Sequence, residues 1–184
     1  MAGYGSVWAK INNAEDLAFL QDNYNPKATL TDGCYFACAR PDEDDAEAPE
    51  ELMQVLSERF GEAVFMSVQT VVDFFIYAHW KDGELLRQLQ YCADEGWYEV
   101  TGEQQEWELQ LFTEQEKQRQ LSYLDLEYLK PECSEYKEAQ RLAAQIEAVW
   151  AKQALEENSF YPMATASEVY EIVLHTLKLA NPYL

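Results

Sequence analysis

The chain has 184 residues, 48% of them hydrophobic and 14% aromatic, enough to fill a core of domain size and to exclude a disordered chain. Thirteen basic residues against 34 acidic ones leave a net charge of −21. With a pI near 4.2, the chain repels phosphate backbones and anionic lipid, which argues against direct nucleic-acid or membrane-surface binding.

In chain order, Ser6–Ile11 reads as a first strand, and Asn13 caps a helix bearing Leu17, Leu20 and Tyr24 that ends at Asn25-Pro26. Cys34–Cys38 reads as a second strand. Pro41–Glu47 is an acidic loop leading to Pro49 at the start of an amphipathic helix (Leu52, Val55, Leu56, Phe60), and Gly61 stands where a helix-ending glycine belongs.

The segment Ala63–Val100 carries the clearest pattern. In Val64–Gln69 and again in Asp73–Trp80, apolar residues fall on even positions, the period of a strand with one buried face. Asp82-Gly83 supplies a two-residue type I′ turn that pairs Lys81 with Glu84. Counting outward pairs Trp80 with Leu85, Ala78 with Arg87, Ile76 with Leu89 and Phe74 with Tyr91 on the expected core face. A second face then carries Asp73, Phe75, Tyr77, His79, Leu86, Gln88, Gln90 and Cys92, too aromatic for a plainly solvated surface. Asp94-Glu95-Gly96 turns the chain into a further strand at Trp97–Val100.

Beyond about Glu103 the pattern becomes helical. Thr113 with Glu116 has the form of a capping box before Leu121, Leu124 and Tyr128, until Pro131 interrupts. Ser134 opens a longer helix whose stripe is Ala139, Leu142, Ala143, Ile146, Val149 and Trp150. Thr165 with Glu168 caps the last, with Val169, Ile172, Val173, Leu177 and Ala180 on its apolar face. The whole predicts an α+β fold: an antiparallel sheet of five to six strands with amphipathic helices packed on it, strand-rich over 1–112 and helical over 113–184. With no repeat and no Gly/Ser-rich linker, one domain over 1–184 is expected.

Several of these residues carry a family resemblance. Phe74–Trp80, Asp82-Gly83, then Gly96-Trp97, Val100, Gly102, Trp107 and Glu108 resemble an uncharacterised family of small bacterial proteins. Its mark is this hairpin followed by Trp-x-x-Val-x-Gly-x-x-x-x-Trp-Glu. The resemblance supports the fold and implies no activity.

Chemical signatures are sparse. Glycine-rich phosphate loops, Gly-x-Ser-x-Gly and His-Glu-x-x-His are missing, so no cofactor is expected. Of two histidines, His175 suits the end of the last helix. His79 shares the second face of the hairpin with Asp73 and Tyr77, and with Glu95 these are the candidates for general acid–base chemistry; same-face residues stand about 6.6 Å apart per step along a strand, too far for a direct Asp73–His79 bond. Asp42, Asp44 and Asp45 are the candidates for a weakly held hard cation, although their loop lacks EF-hand spacing. Cys34 and Cys38 would lie about 13 Å apart on one strand face, unable to bridge or share a zinc, so reduced thiols are expected.

The remaining excess is aromatic. Phe75, Tyr77, His79, Leu86, Trp97 and Trp107 could line a groove, unless helices cover that face in a three-layer fold. The expectation is a non-enzymatic protein-interaction module, inhibitor- or immunity-like, with an unknown protein partner and room for a homodimer. One alternative is a small hydrolase or ligand-binding enzyme around Asp73 and His79. Another is an acidic nucleic-acid mimic. Apolar runs fall short of the roughly 18 to 20 residues that span a bilayer, and Met1–Ser6 lacks a signal peptide's charged and apolar regions, so a cytoplasmic location is expected.

Overall fold

In the computed structural model, which describes residues 4–24, 36–39 and 50–179, six strands form one antiparallel sheet. The strands are β1 (Tyr4–Lys10), β2 (Phe36–Ala39), β3 (Glu62–Gln69), β4 (Phe74–Lys81), β5 (Glu84–Cys92) and β6 (Gly96–Gly102), in the spatial order β2-β1-β3-β4-β5-β6. Helices α1 (Ala14–Tyr24) and α2 (Glu50–Phe60) intervene among the first three strands. A 3₁₀ helix (Glu106–Phe112), α3 (Glu114–Ser122), α4 (Ser134–Lys152) and α5 (Ala166–Leu177) follow the last strand. The α+β class and the helical C-terminal part expected from the sequence are therefore observed. Among the described residues, no helix is long and apolar enough to cross a membrane.

Local chemistry explains most boundaries. Asn13 Oδ1 accepts from the Asp16 amide at 2.9 Å to start α1, and Thr113 Oγ1 accepts from the Glu116 amide at 3.2 Å to start α3. At α5, Thr165 and Glu168 form a full capping box. Cys133 is an unforeseen cap, its Sγ accepting from the Tyr136 amide at 3.3 Å ahead of α4. The stripe read through Leu124 and Tyr128 is not one helix: α3 ends at Ser122, and turns fill the interval before Cys133. Cys34 and Ala180 lie outside the described residues.

The β4–β5 register departs from simple counting in one place. Lys81 pairs with Glu84 and Trp80 with Leu85 as the Asp-Gly turn dictates. Leu86 is then an extra residue on β5, so His79 pairs with Arg87, Tyr77 with Leu89 and Phe75 with Tyr91. The bulge moves Arg87, Leu89 and Tyr91 from the face of Ala78 and Ile76 to that of Tyr77 and His79. A second irregularity sits between Gln90 and Tyr91, where Tyr98 is the extra residue on β6.

Both faces of the sheet are buried. On one, Val7, Ala9, Phe65, Ile76 and Ala78 pack against Leu20 of α1 and Met53, Leu56 and Phe60 of α2. On the other, Trp8, Val64, Met66, Phe75, Tyr77, Leu89, Tyr91 and Trp97 meet Trp107, Leu111 and Phe112 of the 3₁₀ helix, Ile146 and Trp150 of α4, and Val169 and Val173 of α5. The second face of the hairpin is thus the larger core, and the layering is helix, sheet, helix.

Candidate functional site

The aromatic surface expected from the sequence does not exist as a surface. Phe75, Tyr77, His79, Trp97 and Trp107 are all buried and Leu86 is half-buried, because the 3₁₀ helix, α4 and α5 lie over that face. Trp107 packs edge-on against Tyr77 with ring centroids 5.2 Å apart, and the Trp97 indole donates to the Pro162 carbonyl at 2.9 Å. These aromatics are core.

The catalytic candidates are not brought together. Asp73 stands in the β3–β4 turn with φ of 51°, and its Oδ1 accepts from the Ala166 amide at 2.7 Å, supplementing the α5 cap. His79 lies six residues away, about 20 Å along an extended strand. Glu95 is exposed in the β5–β6 turn. His79 does have a carboxylate partner that sequence reasoning missed: its Nε2 is 2.8 Å from Glu62 Oε1, and Lys10 Nζ is 2.8 Å from Glu62 Oε2. The His79 hydrogen bond, helped by Lys10 against burial, holds the Glu62 carboxyl down at about 2. One strand further, Arg87 Nε and Nη2 donate to Glu108 at 2.9 and 2.6 Å, and Arg87 Nη1 donates to the Thr101 and Gly102 carbonyls at 3.2 and 2.9 Å. Lys10, Glu62, His79, Arg87 and Glu108 therefore form a row of polar groups across four strands to the 3₁₀ helix. Its buried members hold the strands and the 3₁₀ helix together.

Asp42, Asp44 and Asp45 lie outside the described residues. Among the described residues, no group of three or more His, Cys, Asp or Glu side chains is placed to hold a metal ion.

A concave site occurs elsewhere. A groove of about 410 Å³ runs between the end of the 3₁₀ helix, the start of α3, the loop at Pro162 and the start of α5. Leu111, Pro162, Met163, Ala164 and Ile172 supply most of its wall; Glu116, Arg119, Glu168 and Glu171 supply its charge. Gln120 fixes the loop from below, its Nε2 donating to the Met163 carbonyl at 2.9 Å and its Oε1 accepting from the Met163 amide at 3.1 Å. Arg119 ties α3 to α5, with Nη2 2.8 Å from Glu116 Oε1 and Nη1 3.1 Å from Glu168 Oε1. Burial raises the Glu168 pKa, but hydrogen bonds from Thr165 and Arg119 outweigh it and keep the carboxyl below its usual range. Large apolar side chains stay exposed in the groove wall and in the chain segments leading into it: Met163 is 41% exposed in the wall, Phe160 51% and Leu109 48% in those segments.

A family model matches residues 36–161, more than half of the chain. The chain belongs to a family of unknown function, DUF6928. Neither the curated proteins nor the solved structures give a match. The family match takes in the hairpin, β6, the 3₁₀ helix, α3 and α4; the wall of the groove from Pro162 onward lies past its end.

Proposed function

We propose that the protein is a non-enzymatic protein-interaction module, acting in the cytoplasm in the manner of an inhibitor or immunity protein, whose groove between the 3₁₀ helix, α3 and α5 receives a segment of a partner protein. The observation that carries this reading is that large apolar side chains are left exposed both in the groove wall, at Met163, and in the chain segments that run into it, at Leu109 and Phe160. A small molecule would fill about 410 Å³ but leave Leu109 and Phe160 in water, whereas a macromolecular partner would cover them together with Met163. The strong acidic field favours a partner with a complementary basic surface and raises the rate of its encounter.

The test is site-specific loss of retention. Immobilised protein carrying Met163→Asp or Phe160→Asp is compared with wild type and with Val55→Asp, a control at an exposed position on α2, across the sheet from the groove. Partners retained by wild type and by Val55→Asp, and lost from both groove variants, support the reading. Retention indifferent to all three substitutions removes the groove as the interaction site.

A further inference from the structure

The charge around the groove is unbalanced, and the imbalance points to the chemistry of the segment it takes. Three carboxylates, Glu116, Glu168 and Glu171, face one cation, Arg119. Arg119 is fully engaged by Glu116 and Glu168, and Glu168 Oε2 also accepts from the Thr165 amide and hydroxyl, both at 3.0 Å. The starts of α3 and α5 at the groove contribute about half a positive charge each, which Glu116 and Glu168 offset from within the first turns. Glu171 stands apart. It is exposed, three residues after Glu168 on the same side of α5, and has no ion-pair partner among the described residues. Its neighbour Ile172 belongs to the apolar wall.

Building on the protein-interaction reading, we infer that the groove recognises a segment in which a bulky apolar side chain is followed or preceded by lysine or arginine. The apolar group seats against Leu111, Met163 and Ile172, and the cation pairs with Glu171. Arg119 is an internal competitor: its guanidinium already occupies the position between Glu116 and Glu168 that a second basic residue of the partner would take. An acidic or phosphorylated segment is disfavoured because it would face Glu171 and the field of the whole chain, and would have to draw Arg119 away from two carboxylates.

Fluorescence anisotropy with three synthetic peptides tests this, each holding one leucine flanked by lysine, glutamine or glutamate. The lysine peptide should bind tightest and weaken with salt. Glu171→Gln should weaken the lysine peptide by about two- to fivefold, the range of an exposed pair, and leave the glutamine peptide unchanged. Arg119→Gln should tighten the lysine peptide by a similar factor, with unchanged binding of the glutamine peptide showing that the groove still holds its shape. Equal binding of lysine and glutamine peptides, both abolished by Met163→Asp and neither moved by Glu171→Gln, overturns the basic-segment inference and leaves the interaction reading standing. Tightest binding of the glutamate peptide overturns it in favour of Arg119 as the recognising group. Binding of no peptide, or binding that ignores Met163→Asp, overturns both.

Discussion

Replacing Arg87 by methionine probes the most consequential polar contact in the protein. The substitution keeps an unbranched apolar stem and removes the cation. Glu108 is completely buried and would keep only its bond from the Gln105 amide, 2.8 Å from Oε1, while the Thr101 and Gly102 carbonyls would lose a shared donor. Breaking a buried pair from one side costs about 3–5 kcal/mol, because a charge is left uncompensated in a low-dielectric interior. In a protein of this length that lowers the melting temperature by about 6–20 °C. The double variant Arg87→Met/Glu108→Leu removes both charges and should recover most of the loss. A residual cost of about 1 kcal/mol remains for the Gln105 amide that Glu108 no longer accepts from. Urea unfolding of wild type, both singles and the double gives the coupling energy directly. If Arg87→Met unfolds within about 1 kcal/mol of wild type, or the double is as unstable as the two singles added, the pair is not the buried, mutually dependent contact its geometry describes.

Other substitutions test the frame around it. Asp73→Ala loses the bond to the Ala166 amide and places alanine at a φ of 51°, so it should cost about 1–2 kcal/mol, while Asp73→Asn, which keeps an acceptor and tolerates the same backbone, should cost less than half of that in thermal melts. Gly102→Ala should be among the most damaging glycine changes, because at a φ of 82° its Cβ would stand 2.1 Å from the Leu86 carbonyl oxygen. Gly83→Ala carries similar backbone strain at a φ of 85° but meets the flexible Glu58 side chain rather than backbone, and should unfold at a higher denaturant concentration than Gly102→Ala. Glu62 links stability to pH. Its folded pKa is depressed from 4.5 to about 2, so its contribution, at most about 3 kcal/mol by the linkage relation, is fully present above about pH 5 and is lost as pH falls toward 2. The stability gap between wild type and Glu62→Gln should therefore close over that interval, and a gap that stays constant would refute the assignment.

How much of this was legible in the sequence depends on the range of the interaction concerned. Asn13, Thr165, Gly61 and the Asp82-Gly83 turn act within a few residues of themselves, and each does in the structure what its local chemistry implies; Thr113 caps α3, while the other half of its expected capping box is not formed because Glu116 bonds Arg119 and Gln120. The even-numbered apolar positions were a partial reading of β3 and β4. Odd positions such as Phe65, Phe75 and Tyr77 are equally apolar, and a near-continuous apolar strand is the mark of burial on both faces. The bulge at Leu86 was hidden because it answers a distant demand. Arg87 must reach Glu108, 21 residues further on, and straight pairing would have left its charge on the Ala78 and Ile76 face. An arginine counted onto a core face was the one sign of it. The groove was beyond reach: the capping signals at Thr113 and Thr165 mark two helix starts beside it, but nothing local says that the segments around Leu111 and Met163 meet, which they do only through packing.

The residues of the Trp97–Glu108 pattern do structural work. Trp97 anchors the Pro162 loop, Val100 packs on the larger core, Gly102 admits the Leu86 carbonyl, Trp107 lies edge-on to Tyr77, and Glu108 receives Arg87. These are scaffold roles, so the partner specificity proposed above would rest on residues outside the pattern. The groove meets that condition, with none of its lining residues in the pattern and its α5 wall past the end of the matched region. On the proposed reading, a partner common to the family would draw on the Gln110–Arg119 wall, which lies within the matched residues, whereas a partner particular to this chain would depend on Met163, Glu171 and Ile172. Substitutions on the two walls separate these cases, because only the second predicts that changes confined to α5 alter which segment binds without altering the fold.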